Sequence, residues 1–142
     1  MKHQAIPRVT AKILIPPILL FGLYVQFHGD FGPGGGFQAG VIFAAAFVLY
    51  ALINGVKATL DVVSLRFLEV GIATGVLLYA GVGIYTMLQG AEYLNYNAID
   101  PENPVHGQHL GILLVELGVG ITVACVMATI FLVFAGRGRR SA

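Results

Sequence analysis

The chain has 142 residues, of which 57% are hydrophobic and only 11% are charged, and its mean hydropathy is +0.83. Soluble domains carry about 25% charged residues, so this composition excludes an ordinary soluble domain and predicts an integral membrane protein. The formal net charge of +1 reveals little, because the positions of the charges matter more than their sum. The single cysteine, Cys125, lies in an apolar run and has no second cysteine with which to form an internal disulfide.

Four apolar segments are long enough to cross a hydrocarbon core of about 30 Å, which takes roughly 20 helical residues. None of them alternates apolar and polar residues as a barrel strand does. The first could be a signal peptide, but it has no small-residue cleavage site, and Pro16 and Pro17 fit a retained, kinked helix. The sequence therefore predicts an all-α integral membrane fold, a single domain over residues 1–142. The predicted transmembrane helices span residues 9–27, 37–53, 67–88 and 110–135.

Basic residues are confined to one side of this predicted topology. The two loops at residues 28–36 and 90–108 contain no lysine or arginine. The positive-inside rule then predicts that both termini and the middle loop are cytoplasmic, and that residues 28–36 face the outside. The eight basic residues are Lys2, Arg8 and Lys12 near the start, Lys57 and Arg66 around the middle loop, and Arg137, Arg139 and Arg140 at the end.

A glycine-rich stretch, FHGDFGPGGGFQAG, joins the first two predicted helices at residues 27–40. A phosphate-binding loop is disfavoured, because the stretch lacks the lysine and hydroxyl residue of a P-loop and follows a helix. A tight outer hairpin is one interpretation, since proline and glycine suit turns. The second is that the loop is covered by a neighbour, because bare backbone near the bilayer needs cover. Gly36, Gly40 and Ala44 would then form a small-residue stripe for close helix packing.

The longer stretch HGDFGPGGGFQAGVIFAAAFVLYAL resembles the signature of the MnhB/MrpB-like subunit of the multi-subunit monovalent cation/proton antiporters. That signature joins a histidine, a Pro-Gly-Gly-Gly-Phe core and a Gln/Gly pair to an alanine-rich helix. Chain length and the four spans are also similar, so the resemblance covers nearly the whole chain. The matching positions are His28, Pro33, Gly34, Gly35, Gly36, Phe37, Gln38 and Gly40.

The resemblance implies one membrane subunit of a Na+ (monovalent cation)/proton antiporter in the cell (plasma or inner) membrane. Its implied partners are other antiporter subunits, membrane lipid, the monovalent cation and the proton. Two alternatives stay open: the equivalent subunit of a membrane-bound hydrogenase or complex I-like redox pump, and a purely structural scaffold. No enzyme is predicted, because no nucleophile, base and orienting group occur at a recognisable spacing. Neither a cofactor nor a nucleic acid is expected.

Two acids fall within the predicted spans. Glu69 follows Arg66 by three residues, a spacing that favours an ion pair over a role in transport. Glu116 lies seven residues after His109, about 10 Å along a helix, with no basic residue within a helical turn or two. Because an ionised acid at that depth is costly, Glu116 is expected to have a partner, to hold a proton or to lie on a hydrated path. A shallow, protonated and purely structural glutamate is the alternative.

Helical spacing places His106, His109 and Glu116 on one face if the last helix begins near Pro104. These residues, with Glu69 as a further candidate, form a hypothetical ion or proton path at an interface with another subunit. The alternative is that the histidines simply occupy the wet membrane interface. The acidic outer loops could concentrate cations, or could merely lack Lys and Arg as translocated loops do. A metal site built from these histidines and His28 is disfavoured, since the chain has no His-x-x-x-His pair there.

Overall fold

The structure, a computed structural model, describes residues 5–30 and 32–137, and within these residues it contains helices and no strands. Four helices are long and apolar enough to cross a membrane, which confirms the predicted all-α membrane fold class with four spanning helices. Lys2, Arg139 and Arg140, which entered the orientation prediction, lie outside the described residues. The elements are α1 (Ala5–His28), α2 (Gly36–Asn54), α3 (Val56–Val62), α4 (Leu65–Leu88), a short 3-10 helix (Tyr96–Ala98) and α5 (Pro104–Arg137).

The four long helices pack in the order α1, α2, α5, α4. Helices α2 and α5 therefore occupy the centre, and α1 and α4 form the two edges. Helix α1 packs mainly on α2 and touches α5 over a shorter stretch. Large apolar side chains on both edge helices remain exposed, as expected for surfaces that face lipid or other subunits.

Close contact between α2 and α5 depends on glycine. A Cβ atom added at Gly36 would lie 2.7 Å from the carbonyl carbon of Glu116, and one at Gly40 would lie 2.7 Å from the carbonyl oxygen of Gly120. Gly36, Gly40 and Ala44 are all buried. The predicted small-residue stripe is therefore confirmed as a helix-packing surface, and the neighbour that covers it is the chain's own α5.

The loop between α1 and α2 is a tight turn that returns the chain directly into α2. Gly35 has φ +110°, a backbone conformation that side chains rarely adopt, and its N–H donates to the carbonyl of Val25 at 3.1 Å. Helix α2 begins at the next residue, Gly36. The turn therefore presses its glycines against the bundle near the start of α2.

The basic residues among those described gather at the end of the bundle opposite this turn. Lys57 in α3 and Arg137 at the end of α5 line one cleft, and Arg66 is the second residue of α4. The predicted ion pair between Arg66 and Glu69 is wrong: both side chains are exposed, and the ion pairs of residues 5–30 and 32–137 involve only histidines. Solvent screening explains the result, because an exposed pair gains little from holding two long side chains in one geometry.

Candidate ion and proton site

Glu116 lies in α5, twelve residues after the helix begins at Pro104, or about 18 Å along its axis. Its half-buried side chain reaches the glycine turn between α1 and α2. A Cβ atom added at Gly29 would lie 2.5 Å from both carboxylate oxygens, and one added at Gly35 would lie 2.8 Å from one of them. The carboxylate is therefore held against bare backbone, and a side chain at either glycine would displace it.

Two aspartate–histidine pairs lie closer to the start of α5 than Glu116 does. Nδ1 of His109 forms a short hydrogen bond with Oδ2 of Asp30, which joins α5 to the turn after α1. Nδ1 of His106 lies 2.8 Å from Oδ2 of Asp100 in the loop that precedes α5. Each imidazole therefore has an acid partner, whereas Glu116 has no basic partner and accepts no hydrogen bond within the described part of the chain.

The structure brings the predicted residues of α5 together in one open cleft between α1 and α5, with a volume of about 420 Å³. This arrangement places two titratable rings and two carboxyl groups along a single surface. Asp30 is also close enough to Glu116 for their negative charges to interact. The cleft is lined by Gln26, Phe27, Asp30, His106, His109, Leu110, Leu113 and Glu116.

Glu69 and His28 lie outside this cleft. Glu69 is exposed in the second turn of α4, beside Leu68, which packs against Ala128 of α5. Ala128 lies twelve residues beyond Glu116, about 18 Å along the helix, so the two acids are far apart. The ring of His28 instead stacks on Tyr24, with ring centroids 5.2 Å apart.

The glycine motif divides into a buried part and an exposed part. Gly35, Gly36 and Gly40 are buried against α5, and Gly34 lies close to the backbone of α1, where an added Cβ would lie 2.8 Å from a carbonyl oxygen. The other motif residues of the turn and of the start of α2 are exposed and are not among the residues that line the cleft. They are Pro33, Phe37 and Gln38.

The loop between α4 and α5 folds over the first turns of α5. The ring of Tyr96 packs against Gly111. Burial raises the pKa of Tyr96, and the nearby Tyr79 and Glu116 add to the rise. The hydrogen bond with His106 lowers the pKa of Asp100. The loop therefore places a phenol and an acid near the cleft, although no group of three potential metal ligands forms among the described residues.

Gln26 belongs to this site and was not predicted from the sequence. It is only 5% exposed, it lines the same cleft, and its Nε2 atom is buried without a hydrogen-bond partner in residues 5–30 and 32–137. The available signal was weak: one uncharged polar residue, two positions before His28, at the end of the apolar run that begins at Ile13. Such a residue in a spanning helix is costly to bury, and that cost could have marked it.

Comparison with known proteins matches residues 6–129 to a family described as "Domain related to MnhB subunit of Na+/H+ antiporter". The chain belongs to the MnhB family. A relative from Staphylococcus haemolyticus (strain JCSC1435), named "Putative antiporter subunit mnhB2", is 34% identical over 95% of this chain and 96% of its own. The protein of the same name from Staphylococcus aureus (strain Newman) is 32% identical over the same shares. The predicted resemblance to MnhB-like subunits is thus confirmed, and MnhB relatives are named as transporter subunits.

Proposed function

We propose that this chain is the MnhB-type subunit of a multi-subunit Na+/H+ antiporter, embedded in the cell membrane beside other antiporter subunits. Membership of the MnhB family over most of the chain supports this role. Four helices long and apolar enough to span a membrane support a multi-pass subunit. The exposed apolar faces of the edge helices offer surface for lipid and for neighbouring subunits.

Both termini of the chain face the cytoplasm in this proposal. Lys57, Arg66 and Arg137 share one end of the bundle, and basic residues prefer the cytoplasmic side. The glycine turn and the cleft then lie toward the outer side. A cysteine introduced at Glu102 should react with a membrane-impermeant maleimide added to intact cells, whereas one at Lys57 should react only after the cells are opened. The reverse pattern would contradict the orientation.

Within the chain, Glu116 binds the proton and the monovalent cation in turn. The observation that carries this proposal is the position of its carboxylate, held against Gly29 and Gly35 with no basic partner among the described residues. A carboxylate in such a setting needs a counterion, and a proton or a metal cation can each fill that role.

The pair formed by His109 and Asp30 couples this acid to the mouth of the cleft. When His109 is protonated, its positive charge offsets the negative charge of Asp30. When His109 loses the proton, Asp30 repels an ionised Glu116 more strongly, so a proton or cation at Glu116 is favoured. Protons arriving at the histidine and ions bound at the glutamate therefore influence each other.

The direct test is Glu116→Gln in the complete antiporter complex, assayed by Na+-driven proton movement in membrane vesicles. We expect loss of most antiport activity while the other subunits still co-purify in mild detergent. Glu92→Gln is the matched control, because Glu92 is an exposed acid in the loop after α4. Unchanged antiport in Glu116→Gln would refute the ion-binding role and leave a scaffold role for this chain.

A further inference from the structure

A second cleft, with a volume of about 690 Å³, lies at the basic end of the bundle between α3, the start of α4 and the end of α5. We call it the basic cleft, because Lys57 of α3 and Arg137 of α5 line it. Arg137 comes twenty-one residues after Glu116, about 30 Å along α5, so this cleft is separate from the ion and proton site. Apart from Gly136, the other residues that line it are apolar: Val56, Leu60, Leu65, Leu132 and Val133.

The local fold brings the two cations to this apolar surface. Val56 and Leu60 are half-buried and pack against the hydrophobic core between α2, α4 and α5, whereas Lys57 is exposed. The guanidinium of Arg137 lies over the ring of Phe134, 5.7 Å from the ring centroid, and this contact holds the charge beside the end of α5. Two cations from distant parts of the sequence therefore border one apolar cleft.

Neither cation has an acidic partner within residues 5–30 and 32–137, because the ion pairs of those residues involve only histidines. Asp61 in α3 and Glu69 in α4 are exposed and do not line the cleft. The positive-inside rule accounts for cations at this end of the bundle, but not for their convergence on one apolar cleft. A ligand that complements both features has a negative charge attached to an apolar body.

Helix α5 continues the apolar surface toward the middle of the bilayer. Val133, Ile130 and Val126 follow Arg137 at spacings of four, three and four residues, so they share one helix face. Val133 and Ile130 are exposed, and Val126 is half-buried. The distance from Arg137 to Val126 is about 16 Å along the axis, which is half of a hydrocarbon core of about 30 Å. This face therefore matches the depth of one leaflet, with the cations at the level of the headgroups.

We propose that the basic cleft binds a phospholipid with a net negative headgroup. The phosphate lies between the ammonium of Lys57 and the guanidinium of Arg137, and one acyl chain lies along α5. A guanidinium can donate two hydrogen bonds to two phosphate oxygens, and an ammonium supplies a compact charge, so the pair suits a phosphodiester. A zwitterionic headgroup carries a cation of its own, which both basic side chains repel. Free phosphate lacks the apolar part that the cleft and α5 would cover.

The test uses the complete antiporter complex in phosphatidylcholine nanodiscs that contain a trace of phosphatidylglycerol with a photoreactive diazirine in one acyl chain. Mass spectrometry then quantifies the lipid attached to residues 126–133 of this chain after illumination. We expect attachment there, with competition by unlabelled phosphatidylglycerol and none by inorganic phosphate. Photoreactive phosphatidylcholine at the same level should attach much less.

Substitutions of the two cations test the headgroup contact. Each basic side chain near anionic lipid favours binding about fivefold, so Lys57→Gln combined with Arg137→Gln should reduce attachment of phosphatidylglycerol about 25-fold. Arg66→Gln is the matched control, because Arg66 is an exposed cation at the same end that does not line the cleft. This control should attach as much lipid as the unsubstituted complex.

Equal attachment of the two photoreactive lipids would overturn the proposal, because α5 would then contact bulk lipid without selection. The same holds if the double substitution has no effect, or if Arg66→Gln causes an equal loss. No attachment to residues 126–133 with either lipid would also overturn it, since another subunit would then cover the cleft. If the double variant does not co-purify with the other subunits, the comparison of the two lipids in the unsubstituted complex decides. The readout does not depend on antiport, so this proposal and the role of Glu116 can fail separately.

Discussion

Replacing Gly40 with alanine tests the close contact between α2 and α5. The new Cβ atom would lie 2.7 Å from the carbonyl oxygen of Gly120 and 2.8 Å from Cβ of Val123, whereas ordinary contacts begin near 3.4 Å. The helices must therefore absorb about 0.7 Å, and neither obstacle is a flexible side-chain end. Overpacking of this kind costs about 1–3 kcal/mol, so we expect the thermal unfolding midpoint to fall by roughly 3–10 °C.

The matched control is Gly81→Ala in α4, where an added Cβ atom meets nothing within 4 Å. Alanine favours a helix over glycine by up to about 1 kcal/mol, so this variant should unfold at the same temperature or slightly higher. The assay heats the purified complex in mild detergent and measures the fraction of intact assembly that remains at each temperature. Equal midpoints for Gly40→Ala and Gly81→Ala would refute the packing of α2 on α5.

Two further predictions concern ionisable groups. Glu69→Gln should retain antiport in vesicles, because this exposed acid is remote from the cleft; a loss as large as that expected for Glu116→Gln would contradict the separation of the two acids. Because the hydrogen bond with His106 lowers the pKa of Asp100, the folded loop binds fewer protons than the unfolded chain as the acid titrates. Its stabilisation is therefore present above about pH 4 and lost as the pH falls through the lowered pKa. The protection factor of the Asn103 amide, which donates to Asp100, should be higher at pH 5 than below pH 3, and a protection factor independent of pH would contradict this.

The apolar character of the chain made the fold class predictable. A bilayer permits few spanning structures, so composition and segment length were enough to predict four helices. The four-residue spacing of Gly36 and Gly40 also predicted a packing surface. It did not predict the partner helix, because several helices of the chain carry small residues that could have filled the same role. The short helix α3 and the 3-10 helix were missed, because tertiary contacts determine such brief elements more than local sequence does.

The candidate site was predictable only where its residues share one helix. Regular spacing joined His106, His109 and Glu116, and the structure places all three in one cleft. The hydrogen bond between Asp30 and His109 joins residues 79 positions apart, so no spacing along the chain could predict it. Gln26 was missed for a related reason. A single amide in an apolar helix has no periodic pattern, and its importance depends on the register of α1 against α5.

We propose that Glu116 binds either a proton or a monovalent cation within the cleft. The most direct test is dicyclohexylcarbodiimide labelling of Glu116 in the intact complex at fixed pH, with Na+ increased while ionic strength is held constant with choline. We expect Glu116 to be labelled and the labelling to fall as Na+ rises, because a bound cation excludes the protonated form that reacts. Labelling that is absent at every pH, or that is indifferent to Na+, would contradict it.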